Sequence, residues 1–337
     1  VLTLAGCNEV CGKGSEWYED VGPRLSTWLI PVFLLISNIE VSPLDKRRYL
    51  MLIHLLGDPI HSVWSLLMKL EAWSRCYNKI LAKSGASFDP RTVRIRGTVL
   101  GGIEELVGFY TDPSRILAYI EEYRSVSYEE FEILLDRTAQ RLADSRTDER
   151  LRTLLATGLY LYQLVSAFVS TVGGGNTSPP GGRIGTTMFM TWIIPVVLFS
   201  NAIGGFTSSR TCFDIIEDFV QKATGRRDLW LVLQENVLEF KVHSDIEDYF
   251  DSMSWAGSIY TYRPPKRHAF STGKRDWSPY TLLVLAMMPV IVSSTIASVL
   301  LYNTPPVAFN CRNMLIFSVV ILFFASAAFT WAMAWLG

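Results

Sequence analysis

Charged residues are missing from four long stretches of this chain, and each holds a dense apolar run without a polar face. They run Thr153–Gly182, Ile184–Ser209, Trp277–Cys311 and Asn313–Gly337. All exceed the roughly 20 residues a helix needs to cross a bilayer, where a charge is costly. A surface helix of a soluble protein keeps a polar face instead. The pattern predicts spanning helices over 152–172, 187–206, 280–302 and 314–337, joined by short exoplasmic loops at 173–186 and 303–313.

A fifth charge-free stretch, Leu25–Ile39, has only 15 residues, short for a span by itself. Internal similarity extends it. Thr27-Trp28-Leu29-Ile30-Pro31-Val32 matches Thr191-Trp192-Ile193-Ile194-Pro195-Val196, and Ser37-Asn38 follows as Ser200-Asn201 does. Gly22-Pro23-Arg24-Leu25 also resembles Gly181-Gly182-Arg183-Ile184. A parallel repeat makes 24–39 a fifth span, with Arg24 reaching back to the headgroups. Val1–Gly6 then corresponds to the tail of a preceding helix, followed by an exoplasmic segment to residue 23, and the intact chain would hold six spans.

Two polar segments alternate with these windows. Glu40–Arg152 carries 17 Lys and Arg and Thr207–Asp276 carries 10, whereas each short loop has one basic residue. Basic residues near helix ends favour the cytoplasmic side, which places both long segments inside. The segment 40–151 reads as a helical domain. Ser42-Pro43, Asp58-Pro59, Asp89-Pro90 and Asp112-Pro113 each pair an N-cap with proline at the first helical position, and Ser127-Tyr128-Glu129-Glu130 is a capping box. Within 207–279, Ser209–Thr224 looks helical and Leu229–Val242 is apolar enough to pack. The expected fold is therefore all-α: a polytopic helical membrane protein with a cytoplasmic helical domain.

Composition agrees. The chain has 337 residues, 49% of them hydrophobic and 19% charged, with a net charge of −1. Its mean hydropathy is +0.23. That balance excludes disorder and a disulfide-rich scaffold, and it argues against nucleic acid as a partner.

Candidate chemistry is sparse. His54, Asp58 and His61 are spaced so that an unbroken helix would bring two imidazoles and a carboxylate to one face, a set able to hold a divalent metal. Gly57-Asp58-Pro59 is also a helix stop and restart, in which Asp58 serves as an N-cap and the shared face is lost. A second acidic cluster, Asp245, Glu247, Asp248 and Asp251 beside His243, offers oxygen ligands, but it equally suits the first turn of a helix capped by Ser244. Cys7 and Cys11 are candidates for a small exoplasmic disulfide, with Cys311 an alternative partner and free thiols the other outcome. Apart from Arg24 and Arg152 at their ends, the predicted spans hold no Asp, Glu, Lys, Arg or His, which weighs against ion-coupled transport. Pro31, Pro195 and Pro289 interrupt three of them, and Asn38, Asn201 and Gln163 supply polar atoms.

The stretches WYEDVGPRLSTWLIP, SPLDKRRYLMLIHLLGDPIHSVWSLL and TMFMTWIIPVV resemble a group of uncharacterised multi-pass membrane proteins of filamentous fungi. The resemblance covers most of the chain and implies membrane topology, without assigning a catalytic residue or a cofactor. Three functions compete. The first is a scaffold, sensor or partner-binding protein acting through the cytoplasmic domain. The second is a transporter or channel built on the kinked repeat helices, and the third a membrane-embedded enzyme using His54, Asp58 and His61. The bilayer of the plasma membrane or an endomembrane is the expected partner in all three. A cytoplasmic protein or a second copy of the chain is an additional partner in the first.

Overall fold

Capping chemistry that acts within three residues sets where the helices begin. The computed structural model describes residues 57–84, 89–107, 112–145, 185, 187–203, 209–225, 228–237, 278–303 and 311–336, with 154–155, 157–162 and 165 and the isolated positions 6, 9, 240–241, 244–245 and 309. Helices α1 (Pro59–Ser84), α2 (Pro90–Val107) and α3 (Pro113–Glu122) each start on the proline expected to open them. Asp112 caps α3 by accepting from the Ser114 N–H. Helix α4 (Tyr128–Asp144) opens with both arms of the Ser127–Glu130 capping box formed.

A 3-10 turn, Met190–Trp192, leads into α5 (Ile193–Ile203). Pro195 falls in the first turn of α5, where a missing N–H breaks no α-helical bond. Then come α6 (Ser209–Thr224), α7 (Leu229–Asn236), α8 (Pro279–Asn303) and α9 (Cys311–Leu336). Among the described residues there is no strand, so the fold is all-helical.

Among the described residues, two helices qualify as candidate membrane spans. Tyr280–Asn303 of α8 and Asn313–Thr330 of α9 have mean hydropathies of 2.2 and 2.1. The apolar helix Thr187–Phe199 is shorter. Both candidates keep large apolar side chains on their outer flanks, among them Val284, Val299, Leu315, Phe317 and Leu322.

The described residues form two apolar cores. The first gathers Ile60, Val63, Leu66 and Met68 of α1 with Trp192, Val196, Val290, Ala297 and Phe323. Tyr160 joins it, and its hydroxyl donates to the carbonyl of Thr187 at 2.6 Å. The second core begins at Cys76 and Ile80 of α1 and includes Leu100 and Ile103, Phe131 and Leu135, and Ile216 and Phe219. The polar segment after α5 thus packs into the same core as the polar segment that precedes it. Helix α1 contributes its first half to one core and its second half to the other.

Candidate functional site

Asp58 sits where α1 enters the first core, and it is 1% exposed. Its Oδ1 accepts from the His61 N–H at 3.0 Å. Its carbonyl accepts from the Ser62 N–H and hydroxyl at 3.2 and 3.0 Å. Its second carboxylate oxygen accepts from the Thr330 hydroxyl at 2.8 Å, which ties the start of α1 to α9. The cap expected at Asp58 is therefore present, with a long-range partner that local spacing did not announce. His61 is half-buried and its ring lies 5.7 Å from that of Trp64, tilted by 42°.

His54 lies outside the described residues, as do Cys7, Cys11, His243, Glu247, Asp248, Asp251, the three-glycine run at 173–175 and the basic cluster at 266–275. Asp245 is described and exposed. Among the described residues no three His, Cys, Asp or Glu side chains converge as a metal site. Replacing Asp58 by alanine is expected to lower stability by about 0.5–2 kcal/mol, while asparagine, which still accepts at a cap, should retain most of it. Thermal unfolding of the two purified variants gives the comparison. Equal losses for Asn and Ala would mean that charge, not capping, is what the site needs.

A layer of charge separates the two cores, and the sequence reading did not single it out. Lys69 Nζ meets Glu105 Oε1 at 3.0 Å with side chains only 1% and 8% exposed. Six residues further along α1, Arg75 Nη2 meets Glu104 Oε1 at 2.8 Å. Glu71 is buried in the same layer. Lys69 stands four, seven and eleven residues before Trp73, Cys76 and Ile80, on the stripe that α1 turns toward α2. That spacing was the available signal, since a lysine on a buried stripe demands a carboxylate opposite.

Helix α2 is the hub of this polar network. Arg96 pairs with Glu121 of α3 and Glu132 of α4, and Arg91 reaches Asp136 of α4 at 3.4 Å. Burial raises the Asp112 carboxyl, but bonds from Lys79 and Ser114 outweigh it and hold the group below its ordinary range. The Asp218 carboxyl is likewise held low, chiefly by Lys222 and then by Arg141 of α4. Burial, reinforced by Glu104, pushes the Cys76 thiol far above its usual value, so Cys76 behaves as an inert core residue. Cys212 is buried too, and its thiol donates to the Gly102 carbonyl at 3.4 Å.

The repeated Thr-Trp-x-Ile-Pro motif marks a second feature. Its later copy borders an open groove of about 470 Å³ between α1, the turn into α5 and α8. Val63 and Leu67, Trp192 and Pro195, and Leu285 and Pro289 form three of its sides. Both proline interruptions read from the described spans thus face one space. The earlier copy of the motif, with Asn38, lies outside the described residues. The chain matches no protein-family model, no curated protein and no solved structure.

Proposed function

We propose that this chain is a multi-pass membrane protein, of the kind its sequence resembles, that works as a membrane-anchored scaffold or sensor. Its five spans hold the bundle in the bilayer, and its helical body on the cytoplasmic side presents the working surface. The observation that carries this is the double membership of α1, whose two halves are buried in the two cores. A continuous helix transmits a shift of one end to the other more faithfully than a loop would, because its hydrogen-bonded turns do not bend cheaply. The exposed apolar flanks of α8 and α9 support the membrane placement, since so large an apolar surface is unfavourable in water.

Hydrogen exchange on the protein in nanodiscs tests the coupling. Changing the acyl chains from 14 to 18 carbons is expected to alter exchange in α2 and α4 by about five-fold or more, the lower end of ordinary allosteric coupling. A change confined to α5, α8 and α9 would rule out the sensor and leave only a membrane-anchored scaffold.

The groove at Pro289, where α8 is interrupted, favours transport as the second function, because interrupted helices line substrate paths. Among the described residues no charged side chain lines it, so an apolar solute suits it better than an ion.

A further inference from the structure

We infer that the first part of α1, Pro59–Met68, lies inside the bilayer as a half-length helix that enters the bundle without crossing it. The inference rests on reading α8 and α9 as spans. It deepens the proposed function by naming the part of α1 on which the acyl chains act.

Charge divides α1 by length rather than by face. Residues 59–68 hold no Asp, Glu, Lys or Arg, with His61 as their one titratable side chain. Lys69, Glu71, Arg75, Lys79 and Lys83 follow in the remainder of the helix. The uncharged part rises about 15 Å, half of the roughly 30 Å hydrocarbon layer, so it is too short to span by itself. Sequence alone therefore left it in the cytoplasmic segment 40–151.

Its neighbours set its depth. Val63 and Leu67 share a groove with Leu285, Pro289 and Val292, which lie five to twelve residues inside the span that begins at Tyr280. Helix α8 has no length to spare outside the membrane. Were it to emerge as far as Val292, only Ser293–Asn303 would remain, about 17 Å of helix against the roughly 30 Å a crossing needs. The start of α1 is held at Thr330 of α9, which is followed by the uncharged turns Trp331–Leu336.

A helix that begins in hydrocarbon must satisfy its first N–H groups without water. Pro59 has none, and Asp58 Oδ1 accepts from the His61 N–H, so the cap suits such a start. Ser62 and Ser65 are buried in the same half and donate their hydroxyls to the carbonyls of Asp58 and Ser62. The helix leaves the apolar layer at Lys69, its first charged residue, which meets Glu105 there. Acyl chains pressing on the bundle thus act on one end of a helix whose other end is fixed in the second core.

Nitroxide side chains on single cysteines read the depth in the full chain, reconstituted in phosphatidylcholine vesicles. Cys7, Cys11 and Cys311 are replaced by serine for this, and the buried Cys76 and Cys212 are kept. Leu67→Cys and Gly57→Cys report on α1, Leu322→Cys on the outer flank of α9 and Ile133→Cys on α4, the last two positions being 65% and 60% exposed. Collision with oxygen is expected to exceed collision with a water-soluble nickel chelate at Leu67, Gly57 and Leu322, and the preference is expected to invert at Ile133. Nothing lies within 4 Å of a Cβ at Gly57, so that position keeps the test decisive should Leu67→Cys fail to fold. Oxygen preference at Leu322 with nickel access at either α1 position would put α1 outside the bilayer and overturn the inference, leaving the spans in place. Nickel access at Leu322 as well would overturn the membrane reading itself and the inference with it.

Discussion

Lys69→Met is expected to lower the stability of the folded protein by about 3–5 kcal/mol, the usual cost of removing one partner from a buried ion pair. Lys69 and Glu105 are almost wholly excluded from solvent, so the Glu105 carboxylate would lose its ammonium partner in a place water does not reach. Most of the loss would come from that stranded charge rather than from the attraction removed. The double variant Lys69→Met/Glu105→Leu should therefore recover most of the stability, because buried pairs are often no better than apolar packing of similar volume. Equilibrium unfolding of the two variants in the same detergent measures both. A loss under about 1 kcal/mol for the single variant is the figure for a solvent-exposed pair and would contradict the burial of the layer.

Gly101→Ala should destabilise by about 1–3 kcal/mol, opposite in sign to the roughly 1 kcal/mol that alanine gains over glycine in an unobstructed helix. A Cβ built at Gly101 meets the Trp73 ring at 2.4, 2.6 and 2.9 Å, closer than any real Cβ contact allows. One turn earlier, a Cβ at Gly97 would meet Tyr77 at 3.4 Å, an ordinary contact, so the obstruction is specific to the tryptophan. Trp73→Leu combined with Gly101→Ala should cost less than the two separate losses added together. Gly158→Ala is the control, since nothing lies within 4 Å of its Cβ position, and it should be tolerated. Chemical unfolding of all four variants, Trp73→Leu alone included, reads the effect, and a stabilising Gly101→Ala would mean that α1 and α2 do not approach as closely as described.

Helix starts were the most legible part of the chain. Asp112, Ser127 and Glu130 satisfy N–H groups two or three residues away, so their roles follow from neighbours in sequence and need no tertiary partner. The extents of α8 and α9 were legible for a related reason, since an uncharged apolar run states its preferred surroundings without reference to the rest of the chain. Asp58 was half legible. Its cap is local, whereas its bond to Thr330 joins residues 272 positions apart.

The amphipathic run of α1 announced a helix but not where it would pack. Its first half is buried on nearly every side, which needs α5, α8 and α9 to converge on it, and no periodicity within α1 encodes those neighbours. The partner of Lys69 is 36 residues away and the obstacle at Gly101 is a tryptophan on another helix, so neither could be identified from local spacing. The repeat likewise pointed to Trp192 and Pro195 as recurring residues, but only the folded chain brings them to the same groove as Pro289. The sequence by itself determined helix boundaries and membrane preference, because these depend on contacts within a turn or on summed hydrophobicity. Tertiary structure alone decided which faces meet, which charges pair and where a groove opens, because those outcomes depend on side chains distant in sequence competing for one volume.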